Sequence, residues 1–341
     1  MINKILRPLD FKKKIQLFSI IFFLLLATLL EILGIGLVPI FLTAILLPEK
    51  IPLYFHQFYY VKFILTLSPD IIILYGTFLL LSVFVIKNIF LTILLIYEKN
   101  FLKNINVTNA TNLFVHFLKS NYSFHLDRNA SELFSIITHV NSHYVEYIRC
   151  FILFTKESLL VILIFLMLLF YQPEISLIVF SFLFLFIISY FLFFRKILFK
   201  KGLMKQEYLN IQSKTMYESF GSIKETKILN KENFFINKFK EQTNAAQHQE
   251  MFLQIVQYLP RLIIETLIVA ALSIIILFFY INNIAIVNFI PIISLFTVSA
   301  VRLMPAFTSL AFTTSSLKFF TNSVDIINKE INNINNSQLL D

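Results

Sequence analysis

The chain has 341 residues, 57% of them hydrophobic and only 14% charged, and its mean hydropathy is +0.77. That composition excludes the soluble globular class. A formal net charge of +9 would suit a nucleic-acid binder, but the basic residues are spread between apolar runs in a way that explains them otherwise, and no nucleic acid is expected as a partner.

Residues 1–14 form a short basic arm carrying Lys4, Arg7, Lys12, Lys13 and Lys14. Ile15 to Leu47 is too long for a signal-peptide core and has no small-residue cleavage site, so it is predicted to be an uncleaved first span. Residues 48–70 contain Pro48, Pro52 and Pro69 with the aromatic cluster Tyr54, Phe55, Phe58, Tyr59 and Tyr60, which suits a membrane interface. Ile71 to Tyr97 is the second span, interrupted by Lys87. Glu98 to Arg149 is polar and is broken near its middle by Asn121-Tyr-Ser123; Asn129 and Glu132 then resemble the start of a returning helix. Phe151–Phe170 and Ile175–Phe194 read as a hairpin of spans joined by Tyr171-Gln-Pro-Glu174. One cysteine, Cys150, excludes an internal disulfide, and no metal site is assigned.

Arg195 to Tyr258 is the most informative stretch. Lying between apolar runs, it holds eleven Lys or Arg against six Glu, with Ile228, Phe235 and Phe239 at helical intervals. Gly221 followed by Ser222-Ile-Lys-Glu225 reads as a turn and a capping box that opens a new helix. Two long helical arms that leave the membrane and return are predicted, reaching on the order of 35–40 Å at about 1.5 Å per residue. Two spans need far less to be joined, so a docking partner at the tip is expected. Leu259–Tyr280 and Asn288–Phe312 are spans five and six, linked by a polar turn at Asn282 and Asn283; an Asn-rich, weakly amphipathic tail follows over 313–341.

The fold class predicted is therefore an all-α membrane protein with six spans. Its parts are the arm at 1–14, a spanning unit at 15–318 with intrusions at 98–149 and 195–258, and a linker at 319–341. With the amino terminus inside, the segments on the cytoplasmic side hold 5, 5, 11 and 2 basic residues and the outer loops only Lys50 and Lys62, so both termini are expected in the cytoplasm.

This layout resembles the transmembrane half of an ATP-binding cassette exporter. The likeness rests on Leu30-Glu-Ile-Leu-Gly-Ile-Gly36, Tyr122-Ser-Phe-His-Leu-Asp-Arg-Asn-Ala-Ser-Glu132, Glu218-Ser-Phe-Gly-Ser-Ile-Lys-Glu225, Leu259-Pro-Arg-Leu-Ile-Ile-Glu265 and Ala300-Val-Arg-Leu-Met-Pro305, and it spans roughly residues 10–325. Within that family the strings are most similar to the flippases for polyprenyl-pyrophosphate-linked oligosaccharides of bacterial glycosylation. The resemblance implies a bacterial plasma-membrane dimer with a second copy, a lipid-linked substrate, and ATP and Mg bound on a nucleotide-binding domain. No G-x-x-x-x-G-K-[ST] occurs here, so that domain is expected on a separate chain or beyond this sequence. No cofactor is expected on this chain.

The resemblance makes the two turns coupling helices, with Tyr122, Phe124, Tyr217, Glu218, Phe220 and Ile223 as candidate contacts to the ATPase. It also implies an interfacial helix at 50–64, where an aromatic-anchored loop is the plainer reading. Lys87, Arg261 and Arg302 lie within apolar runs, where a charge costs roughly 2.5–3.5 kcal/mol and faces a cavity or a partner. Their positions match the family's pyrophosphate-binding cations, and Arg suits a diphosphate through bidentate bonds. The alternative is pairing with Glu31, Glu157 or Glu265, Glu31 being the candidate for Arg302 and Glu265 lying at i+4 from Arg261. Pro39, Pro291 and Pro305 are candidate bends in spans one and six. Two other functions fit less of the pattern: export of peptides or drugs by the same architecture, and ion-driven secondary transport, which would require inverted repeats and acidic relay residues.

Overall fold

The structure is a computed structural model that describes residues 9–46, 69–171, 173–281 and 286–338. The Tyr54–Tyr60 cluster, the segment read as an interfacial helix or loop, and the turn at 282–283 lie outside the described residues. Among the described residues the chain is almost wholly helical and contains no strand. The helices are α1 Phe11–Leu46, α2 Pro69–Lys119, α3 Tyr122–Asp127, α4 Ala130–Ser135, α5 Asn141–Tyr171, α6 Pro173–Gly221, α7 Ile223–Ile228, α8 Glu232–Ile281, α9 Ile286–Phe319 and α10 Thr321–Gln338. A wider, π-type turn at Ile136–Val140 joins α4 to α5. Among the described residues, four segments are long and apolar enough to cross a membrane: Phe11–Val38, Leu74–Lys119, Ala130–Phe170 and Ser294–Phe319.

The long arms are continuations of the apolar helices. α2, α6 and α8 are single helices of 51, 49 and 50 residues, each on the order of 75 Å long. Pro69 and Pro173 open α2 and α6, where a missing N–H breaks no helical bond. α1 begins at Phe11, so Lys12, Lys13 and Lys14 belong to its first turns and not to a separate arm.

α5 is the central helix. Ile148, Ile152, Leu160, Ile164 and Leu168 recur at multiples of four residues and are all essentially inaccessible, as a stripe covered along its whole length must be. Its C-terminal half packs with Ile35 of α1, Ile264 of α8 and Leu303 and Phe307 of α9. Its other half joins Leu24, Ile105, Leu198, Leu317, Val324 and Ile327 in a second core. α2 lies against α1 but leaves Leu74, Phe78, Leu81, Ile86, Ile89 and Ile93 exposed.

Pro260 lies inside α8, where it cannot donate to the carbonyl of Val256. The Tyr190 hydroxyl of α6 donates to that carbonyl instead, so the freed acceptor is satisfied between the two helices. α9 runs through Pro291 and Pro305 as one helix. At its far end, Gly202 of α6 receives the Phe319 carbonyl so closely that a Cβ would stand 2.1 Å from the oxygen. Gly202→Ala is therefore expected to cost about 1–3 kcal/mol through a backbone shift. Thermal unfolding of the purified variant in detergent checks this, and an unchanged midpoint would show that α9 does not seat there.

The turns begin where the sequence places them, by different bonds. Ser222 precedes α7 but makes no side-chain cap; its hydroxyl donates to the Glu218 carbonyl, so the expected capping box does not form. Asn129 likewise precedes α4 with no side-chain cap, and its carbonyl accepts from the N–H groups of Glu132 and Leu133. Two residues past the end of α7 lies Asn230, whose φ of 49° is left-handed, with bonds from the Asn230 N–H to Lys227 O and from the Lys231 N–H to Thr226 O.

Candidate functional site

Two regions hold the candidate residues. Inside the helical bundle, Arg302 of α9 meets Glu31 of α1: NH2 donates to Oε2 at 3.0 Å, and Nε stands 2.7 Å from Oε1 but out of hydrogen-bonding line. Glu31 is buried and the Arg302 side chain is about a quarter exposed. Of the two fates open to Arg302, the structure thus gives it a carboxylate partner that ties α1 to α9.

Lys87 reaches the same level. α1 and α2 run antiparallel, with the Ser19 and Tyr97 hydroxyls 3.0 Å apart and the Phe84 ring 3.4 Å from where a Cβ on Gly34 would be. One helical turn back along each helix lie Glu31 and Lys87. Lys87 is half-buried, with Nζ 4.6 Å from the centre of the Phe84 ring, and it forms no ion pair among the described residues. Glu157, 5% exposed in the stripe of α5, is within electrostatic reach of Arg302 and Glu31, and its Oε1 is 3.8 Å from Lys156 Nζ. Glu157 Oε2, Ser299 Oγ and Arg302 Nε have no hydrogen-bond partner among the described residues. Among the described residues this zone of the bundle therefore keeps unused hydrogen-bonding capacity.

Arg261 does not join them. A bond from Gln257 Nε2 to Ser316 Oγ at 2.9 Å sets α8 against α9, and continuing that register leaves Arg261 on the order of 15 Å from the level of Arg302. It is exposed, stacked at 6.0 Å on Tyr258, and forms no ion pair with Glu265, which is exposed as well. Because Lys87 lacks a carboxylate partner among the described residues, Lys87→Ala should leave thermal stability within about 0.5 kcal/mol of the parent. Melting beyond that range would reveal a structural role that the ring contact does not account for.

The second region is the pair of turns. α3 buries none of its residues: Tyr122 and Leu126 are 77% and 69% exposed, whereas Phe124 turns inward and stacks on Phe117. Around α7, Phe220, Ile223, Ile228, Leu229 and Phe234 all stand in solvent. Glu218 lies between Lys214 at 3.8 Å and Lys238 at 3.4 Å. Lys227 holds Glu232 at 2.9 Å, and that hydrogen bond lowers the Glu232 pKa. Tyr217 meets Phe134 of α4 edge to face at 5.6 Å, and Ser135 donates to Asn210 at 2.7 Å, so the two extensions are braced against each other. Leu126, Leu229 and Phe234 are missed by the sequence pattern, and Ile228 is read there only as part of a helical repeat; the apolar character of the first three next to Asn or Asp at helix ends is the available signal.

His139 and His143 stand four residues apart, a metal-compatible spacing missed at the level of sequence. His143 packs 4.9 Å from the Phe320 ring, and no third ligand converges on the pair among the described residues. No protein-family model matches this chain.

Proposed function

We propose that this chain is the transmembrane half of an ATP-driven exporter of the ATP-binding cassette type. In this reading the apolar halves of α6 and α8 are spans four and five, both termini are cytoplasmic in a bacterial plasma membrane, and a second copy completes a twelve-span pathway. A nucleotide-binding domain carrying ATP and Mg docks on α3 and α7, and its closure moves the spans between inward- and outward-facing states. The single observation that carries the reading is the pair of braced turns. The first is held at the end of α2, 51 residues long, and the second between α6 and α8, 49 and 50 residues long, and each presents large apolar side chains to water.

The substrate class favoured is a lipid-linked anion, a polyprenyl-pyrophosphate oligosaccharide. Lys87 without an ion pair among the described residues and the unused hydrogen-bonding groups near Arg302 support it. The Glu31–Arg302 pair favours the second reading, export of a peptide or drug, because a guanidinium already neutralised has less to offer an anion. Buried Glu31 and Glu157 are the groups that ion-driven transport would use.

The deciding experiment is ATP hydrolysis by the chain and its nucleotide-binding partner in lipid nanodiscs. Polyprenyl-pyrophosphate oligosaccharide should raise the rate several-fold at micromolar concentration, while peptides, drugs and an imposed ion gradient should not. Stimulation by peptides or drugs alone would move the assignment to the second reading.

A further inference from the structure

α10 is more than a connection. Phe320, Ser323, Val324, Ile327 and Asn328 share one face and are buried, and that face is laid on the extensions of α2, α5 and α6. The helix is anchored at its start, where Phe319 sits on Gly202 and the Lys205 ammonium lies 5.4 Å and 6.0 Å from the Phe319 and Phe320 rings. About eleven residues on, Glu330 is 3% exposed, and both its oxygens are taken by Arg128, from NH1 at 3.0 Å and from NH2 at 2.9 Å.

Arg128 is the residue that ends α3. Its guanidinium lies 4.9 Å from the Phe124 ring, which also meets Phe117 at 5.8 Å and His116 at 6.1 Å, so the inward side chain of the turn is held between α2 and the ion pair. A continuous series of contacts thus runs from α3 through Arg128 and Glu330 into α10, and by α10 to α9, the helix bearing Arg302. α10 is also the segment that directly follows the last span.

We propose that Arg128 and Glu330 form a positioning pair that transmits displacement of the first turn to span six. The inference rests on the reading that α3 receives a nucleotide-binding partner. The bidentate geometry suits the pair to transmission, because two parallel bonds fix orientation as well as distance, where a single Lys contact would allow swivelling. Cutting it leaves α3 free to move without α9.

The experiment compares Arg128→Glu, Glu330→Arg, the conservative Glu330→Gln and the charge-swapped double variant in vesicles with the nucleotide-binding partner. Each single change should keep partner binding and most ATP hydrolysis but lower transport per ATP about tenfold, and the swap should restore it to within about threefold, as a coupling cycle requires. Wild-type coupling in the single variants would overturn the proposal, as would failure of the swap in a protein that is folded and binds its partner. Hydrogen exchange on the chain alone separates this from the functional reading. Amides of residues 122–127 should exchange faster in Glu330→Gln and return to wild-type rates in the swap. Unchanged exchange overturns the clamp even where transport is confirmed, whereas altered exchange with no partner binding by wild type leaves the clamp standing and sinks the docking assignment.

Discussion

Arg302→Ala should cost both stability and transport, and adding Glu31→Gln should restore only the first. Removing the guanidinium leaves the Glu31 carboxylate buried and unpaired between α1, α5 and α9, next to Glu157. Losing one partner of a buried pair costs about 3–5 kcal/mol, and the lower end applies because Arg302 is partly open. Gln at 31 removes the stranded charge while keeping its shape, so most of that loss should return in the double variant. Transport should not return, because the cation that would meet a substrate phosphate is still missing. Unfolding in detergent and transport in vesicles, measured on all four members of the cycle, give the coupling energy directly. Transport by Arg302→Ala at the parental rate would make the pair a purely structural tie and would favour a peptide or drug as the cargo.

Replacing Phe220 and Ile223 together by Asp should abolish the coupling of ATP hydrolysis to transport with little change in the fold. Both side chains are largely in solvent, at 70% and 48% exposure, so the substitution removes almost no internal packing. In a docked complex the same positions would place two carboxylates against an apolar surface, and burying them unpaired costs several kcal/mol. Loss of partner affinity by a factor of about a hundred or more is the expected scale. Co-purification and stimulated ATPase activity check it. Full yield of the complex with full activity would remove α7 from the docking surface.

Much of the architecture is legible in the sequence because it is written in composition over long windows. The apolar runs, the polar extensions rich in Glu, Lys and Gln, and the breaks at Asn121 and Gly221 lie close to the observed ends of α2, α3, α6 and α7. The contrast between hydrocarbon and water acts on tens of residues at once, so small errors in any one position average out. What escapes depends on single contacts. Glu31 is the sequence's candidate partner for Arg302 among three carboxylates in the apolar runs, and the packing of α1 on α9 is what brings the two together. Ser222 and Asn129 have the spacing of side-chain caps, yet Ser222 finds a nearer acceptor one turn back at Glu218 and Asn129 acts through its carbonyl. Asn230 carries the left-handed turn without glycine. The tail reads as weakly amphipathic over 313–341, because α9 continues to Phe319 and its residues blur the period of α10. Glu330 carries no local signal of its role, since its partner Arg128 lies 202 residues away.

ATP-dependent flipping is the most direct measurement of the whole reading. Vesicles would contain this chain, its nucleotide-binding partner and a fluorescent polyprenyl-pyrophosphate oligosaccharide, with accessibility of the glycan to an external lectin followed over time. Flipping should require hydrolysable ATP, persist under ionophores that collapse ion gradients, and fall about tenfold or more in Lys87→Ala while that variant stays folded, as loss of a charge-assisted phosphate contact would produce. Flipping that proceeds without ATP, stops with the ion gradient, or is indifferent to both Lys87 and Arg302 would contradict an ATP-driven pathway for a lipid-linked pyrophosphate.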